Sequence, residues 1–218
     1  KGIENESLET MEEVLLNTLP RSHRADLAFL SGPSFAQETL ARHATAVTIA
    51  SRFIDVARSI QTLISTPYFR VYTTEDVTGV ELGGALKNVI AIASGVADGL
   101  GLGHNSRAAL MTRGVAEISR LAVAMGANPL TLSGLSGMGD LVLTCTGGLS
   151  RNRRVGVELG RGRTLSEIID EMNEVAEGVK TAKSAYMLSQ REGVDMPITQ
   201  EVYSMLYEDK SPRLVLRD

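Results

Sequence analysis

The sequence predicts an α/β unit followed by an all-α unit, and three observations carry that prediction. Before residue 75, short apolar runs of strand length alternate with helix-spaced segments, the pattern of an α/β layer. After Thr74 the strand signals stop and long helix-spaced stretches take over. The chain has 218 residues, of which 43% are hydrophobic, so it can bury the core of one large domain or two smaller ones. The change of pattern places a boundary near Thr74–Asp76, giving units 1–75 and 76–218.

Thr10-Met-Glu-Glu13 is a capping box, followed by Met11, Val14, Leu15 and Leu19 at helical spacing. Leu27–Leu30 is a short apolar run closed by Ser31-Gly-Pro33, which predicts a strand and a sharp turn. A short helix is expected over 35–42, a strand over 46–50, a helix over 54–64 and a strand over 69–72. Val77–Val96 carries Leu82, Leu86, Val89, Ala93 and Val96 on one helical repeat. Gly79, Gly83 and Gly84 would weaken an isolated helix, but they suit close backbone packing in a buried one. Asn105 is expected to cap a helix that ends at Gly126. Thr164-Leu-Ser-Glu167 is a second capping box, and further helices are expected over 178–191 and 199–207.

Composition narrows the function. A net charge of −4 with few aromatics speaks against nucleic-acid binding. The lone Cys145 cannot form an intrachain disulfide, which favours a reducing compartment; the expected location is the cytoplasm. The longest soft run, Val89–Val96, is broken by Ser94 and Gly95, so no membrane span is expected. The chain opens on Lys1-Gly-Ile-Glu4 without a leader and ends just after an apolar run. Both ends read as cuts through a longer chain.

Four places can carry chemistry. Lys87 lies within an apolar helix; it either snorkels to solvent or is desolvated, and desolvation lowers its pKa toward the range of a useful acid/base. Ser31–Ala36 joins a strand to a helix, a turn that can receive a phosphate or simply reverse the chain. Ser136–Gly148 holds four glycines and Asp140, either a polar loop facing a ligand or a helix start capped by Asp140. Its Gly137-Met-Gly139 lacks the spacing of a dinucleotide fingerprint. Ser150-Arg-Asn-Arg-Arg154 is a phosphate-binding candidate or a solvated basic helix end. Cys145 has no neighbouring histidine and reads as a buried, inert thiol. No metal-ligand spacing is present.

Six ordered segments go further: Lys1-Gly-Ile-Glu4, Leu30-Ser-Gly-Pro-Ser-Phe-Ala36, Glu81-Leu-Gly-Gly-Ala-Leu-Lys-Asn-Val89, Gly137-Met-Gly-Asp-Leu-Val-Leu-Thr-Cys145, Ser150-Arg-Asn-Arg153 and Val175-Ala-Glu-Gly178. Together they resemble the bacterial-type NAD(P)-dependent sn-glycerol-3-phosphate dehydrogenases over the whole chain. The resemblance implies the later part of a Rossmann-type domain, then a helical substrate domain like that of 6-phosphogluconate dehydrogenase. It implies reversible reduction of dihydroxyacetone phosphate to glycerol 3-phosphate with NAD or NADP, for glycerophospholipid synthesis. Lys87 matches the acid/base. Lys1, Gly32, Ser34, Lys87, Asp140, Ser150, Arg151 and Asn152 match substrate contacts, and Lys1, Ala36, Arg151, Val175 and Glu177 match cofactor contacts. Asn88 and Thr144 are polar neighbours. A homodimer is the general expectation for such an enzyme. The glycine-rich fingerprint of a dinucleotide site is absent from these residues, so the 218 residues alone are expected to bind NAD(P)H poorly and to be inactive. Two alternatives stand beside this reading: another reductase joining a Rossmann domain to helices, such as a 2-hydroxyacid or ketopantoate type, and a non-catalytic helical interaction module.

Overall fold

A computed structural model describes residues 1–172 and 176–215. Helix α1 (Met11–Thr18) opens on the expected capping box: Thr10 accepts from the Glu13 amide, and the Glu13 carboxylate accepts from the Thr10 amide. A 3₁₀ turn over Arg21–Asp26 leads to β1 (Phe29–Ser31), and after α2 (Ala36–Leu40) come β2 (Thr45–Ala50), α3 (Ile54–Ile64) and β3 (Phe69–Thr74). The sheet order is β1-β2-β3. Strands β2 and β3 are parallel, with Thr45 opposite Phe69 and Ala50 opposite Thr74, and α3 is their crossover. Strand β1 runs antiparallel to β2, with Phe29 opposite Ala50. Alternation of strands and helices in sequence does not fix strand direction, so this reversal was not legible. The three strands are the Rossmann-like part of the molecule; the rest is helical.

The helical part is built around α4 (Val77–Gly99), which α5 (Gly103–Ala124), α7 (Asp140–Thr146), α8 (Arg151–Gly160), α10 (Glu177–Glu192) and α11 (Pro197–Tyr207) enclose. Short helices α6 (Pro129–Leu132) and α9 (Leu165–Glu171) complete it. Twenty residues of α4 are buried. The reading that no apolar run approaches the length of a membrane span is corrected in length and composition alone, which α4 meets. Its apolar stretch is 89% buried within the protein, which explains both its composition and the weak amphipathicity of its sequence.

Close packing of α4 on α8 depends on glycine. A methyl group on Gly156 would lie 2.1 Å from the Ile92 carbonyl oxygen, and one on Gly95 would lie 2.1 Å from that of Arg153. Both obstacles are backbone, which cannot rotate away. Gly156→Ala is therefore expected to destabilise the protein by about 3 kcal/mol, the upper range for overpacking. Urea denaturation measures this, and a loss below about 1 kcal/mol would mean that the two helices can separate freely.

The second long helix departs from its predicted start. Helix α5 begins at Gly103, with Asn105 already inside it and no side-chain cap. Gly101 and Gly103, at φ +73° and +79°, make the reversal. Arg107 then pairs with Asp98 at the end of α4, and Arg153 from α8 pairs with the same carboxylate at 2.7 Å. Two glycines and the Asp98 ion pairs, rather than a side-chain cap, accompany the start of this helix.

Candidate functional site

Lys87 lies in the middle of α4 and is 8% exposed, so the surface reading of this residue is excluded. Its ammonium donates to Asp140 Oδ1 at 2.5 Å. Burial pulls the Lys87 pKa down to about 8; Asp140 acts against that shift, and the positive charge of Lys1 adds to it. Lys1 donates to the other oxygen, Asp140 Oδ2, at 2.8 Å. Two lysines far apart in sequence thus share one buried carboxylate.

Asp140 is delivered by an unusual turn. Leu135–Gly139 forms a single π-helical turn that runs directly into α7, and Asp140 is the first residue of that helix. Gly137 and Gly83 serve close packing here. A methyl on Gly137 would strike the Leu132 carbonyl at 2.1 Å, and one on Gly83 of α4 would meet the Ser136 carbonyl at 2.7 Å. The alternative in which Asp140 caps a helix falls, because its carboxylate faces Lys1 and Lys87. Thr144, one turn on, donates to the Asp140 carbonyl at 2.6 Å.

The predicted Ser31–Ala36 turn follows β1 as expected. Gly32 has φ +142°, and a side chain there would press on Val47 Cα at 2.9 Å. Ser34 donates back to the Gly32 carbonyl at 3.1 Å. Pro33 lies against Gly139, and the Phe35 ring fills the space beside Gly147, so the turn rides along α7 next to Asp140. Ala36 is exposed at the start of α2, which has only five residues and so contributes a weak helix dipole.

The Ser150–Arg154 segment divides into different roles. Ser150 is the N-cap of α8 and accepts from the Arg153 amide at 3.2 Å. Asn152 is buried and accepts from the Gly178 amide at 2.9 Å. Gly178 also abuts the Asn88 carbonyl on α4, so Asn152 ties the start of α10 to the helix that carries Lys87. Arg151 is half exposed and lies 3.7 Å from Glu177. Arg153 turns away to Asp98, which removes it from the phosphate candidates. Val175 lies outside the described residues. If Ser150 serves only as a cap, Ser150→Ala should lower stability by about 1 kcal/mol and leave the KM for substrate unchanged; a raised KM at unchanged stability would make it a substrate contact.

Cys145 is fully buried and burial pushes its thiol up to about 12, as an inert cysteine requires. Among the described residues there is no cluster of His, Cys, Asp or Glu suited to a metal. Sequence reasoning missed two groups near the lysines. Ser31 Oγ is buried without a hydrogen-bond partner. Glu81, 9% exposed, accepts from the Glu12 amide, and burial raises its carboxyl to about 7. A carboxylate two turns before Lys87 in an apolar helix was the available signal.

Two shared sequence families match this arrangement. Residues 76–217 match the NAD-dependent glycerol-3-phosphate dehydrogenase C-terminus, and residues 1–57 match the N-terminus of the same family. The chain belongs to the NAD-dependent glycerol-3-phosphate dehydrogenase family. It is 62% identical over all 218 residues to the glycerol-3-phosphate dehydrogenase (NAD(P)+) of Myxococcus xanthus, covering 65% of that protein. The chain thus spans just under two thirds of this relative's length. The crystal structure of the glycerol-3-phosphate dehydrogenase of Coxiella burnetii superposes with a TM-score of 0.93 at 39% identity, over 100% of this chain and 66% of that one. The enzyme of Saccharomyces cerevisiae gives 0.78 at 29% identity, over 86% and 57%. Family membership accords with the fold and with the NAD(P) expectation, and it sets aside the reading as another kind of reductase.

Proposed function

We propose that this chain carries the acid/base and substrate-holding part of a glycerol-3-phosphate dehydrogenase that reduces dihydroxyacetone phosphate reversibly with NAD(P)H. The observation that supports it most is Lys87: a buried ammonium with its pKa drawn down to about 8, held by Asp140 beside a second lysine. Reduction of a ketone places negative charge on its oxygen. An ammonium in a poorly solvated site stabilises that charge and then gives up its proton. Asp140 keeps the ammonium aimed and charged, and Lys1 keeps its proton from being held too tightly. Gly32 and Ser34 border the same space. Arg151 and Asn152 at the start of the ten-residue α8, with Ser150 as its cap, suit a phosphate.

NAD(P)H, when bound, supplies the hydride. The donor set fits one end of such a group: Arg151 offers a guanidinium fork and Glu177 an acceptor at the exposed rim, close to Asn152. Lys1 and Ala36 are further contacts in this reading, with Val175, which lies outside the described residues. No glycine-rich phosphate loop occurs in these 218 residues, so no pyrophosphate contact is assigned to them. The same reading includes a cytoplasmic homodimer working in glycerophospholipid synthesis.

A chimera joining these residues to the remaining third of the Myxococcus xanthus relative tests the proposal. NADH oxidation should proceed with dihydroxyacetone phosphate and fall by about 100-fold or more with dihydroxyacetone, which lacks the group that Arg151 would hold. Equal rates with both ketones would remove the phosphate assignment.

A further inference from the structure

Three residues on one side of α4 each meet the N-terminal segment of the chain. Glu81 comes first, Gly84 one turn later and Lys87 one turn after that. Glu81 accepts from the Glu12 amide through both oxygens, at 3.0 and 3.3 Å, and so clasps the first turn of α1. Gly84 leaves a notch. A methyl there would lie 2.7 Å from Ser31 Oγ and 3.5 Å from Cγ and Cδ of Lys1, so any larger side chain would take the space of the Lys1 stem. Lys87 then meets the tip of Lys1 across Asp140.

We propose that Glu81 and Gly84 are positioning residues that set Lys1 in register with Lys87 over Asp140. Gly84 admits the lysine stem against the helix backbone, and Glu81 fixes the α1 segment so that the stem has one path. The consequence for catalysis rests on the dehydrogenase reading; the register itself does not. The groups facing Glu81 are Glu12 on α1 and the Thr10 hydroxyl before it. Glu12 is held in turn by a two-pronged pair with Arg52, at 2.8 and 2.6 Å. The groups facing Lys87 are Asp140 and Lys1, with the Cys145 thiol further along α7. Lys1 is one of the influences that lower the Lys87 pKa, so a displaced Lys1 must let that pKa rise.

The test is a ¹³Cε NMR titration of Lys87 in the full 218-residue chain, which holds only five lysines. Lys1→Met sets the scale, with an expected rise of about one pH unit. Glu81→Asp keeps the charge but loses the reach to the Glu12 amide, and it should reproduce at least half of that rise. Glu81→Gln keeps the reach without the charge and should leave Lys87 near its wild-type value. Gly84→Val should match Lys1→Met. The opposite pattern for the two Glu81 variants would mean that Glu81 acts by charge and would overturn the proposal. An unmoved Lys87 in Glu81→Asp would overturn it as well. Both Glu81 changes are conservative, so the test does not depend on Gly84→Val folding. The titration needs no cofactor or ketone, so it fails or succeeds independently of the dehydrogenase assay. In the chimera, Glu81→Asp should also move the alkaline limb of the kcat profile upward, which simple loss of stability would not do.

Discussion

Replacing Lys87 by methionine in the active chimera should lower kcat for dihydroxyacetone phosphate by about 10⁴-fold, with a much smaller change in KM. The size follows from the two tasks assigned to one atom. Proton transfer by a placed acid is worth roughly 10²–10⁴ in rate, and one charge-stabilising donor roughly 10²–10³. The effects overlap, because the same ammonium does both, so the product of the two ranges is an upper bound. Methionine keeps the length and apolar stem of lysine, so the helix packing around a residue only 8% exposed is preserved. Activity within tenfold of wild type would rule out Lys87 as the acid/base. The pH profile offers a second check: the wild-type enzyme should lose reductive activity as pH rises through about 8, where Lys87 gives up its proton.

Asp140→Ala should be nearly as damaging, by a different route. The carboxylate is the one influence that holds the Lys87 ammonium in place against burial and Lys1. Without it, the Lys87 pKa falls further below 8, and at neutral pH a neutral amine replaces the acid. Removing one partner of a buried ion pair costs about 3–5 kcal/mol, but Lys87 can limit the cost by releasing its proton. The sign of the pH dependence follows. A lysine whose pKa is depressed in the folded state binds more protons when unfolded, so stability is lowest at low pH and rises through the window from its folded pKa to the unfolded value near 10.5. Urea denaturation should therefore show a loss of about 3 kcal/mol at pH 6 and a smaller one at pH 9. An equal loss at both values would mean that Lys87 does not respond to Asp140.

Much of the fold was legible because its signals are local. The capping boxes at Thr10 and Thr164 marked helix starts, and α3 had the predicted bounds, because caps and spacing act within a few residues. The start of α5 was misread because the chain reverses at Gly101 and Gly103 and the helix begins there without the expected Asn105 cap. The segment around α4 illustrates a second limit. Its glycines and apolar repeat read as a buried helix, but they did not show that burial on all sides makes it long and apolar enough to match a membrane span.

The candidate site divides along the same line. Residue types and their order determined the family resemblance, and with it Lys87, Lys1, Asp140 and the Ser150–Asn152 group as residues of interest. Where each one sits, and what it touches, was decided by partners distant in sequence. Pattern left Lys87 open between surface and interior; burial removes the surface, and its partners are Asp140, 53 residues away, and Lys1, 139 residues from Asp140. Asp140 had read more readily as a cap, yet the fold turns it to the lysines, and the cap of α8 is Ser150. Glu81 and Gly84 lie inside a segment that carries the resemblance, but nothing in that segment says what they touch. The physical reason is common to these cases. Helix caps and periodicity are short-range and written into neighbouring residues, while charge pairing, desolvation and close backbone approach depend on which segments the folded chain brings within a few ångströms.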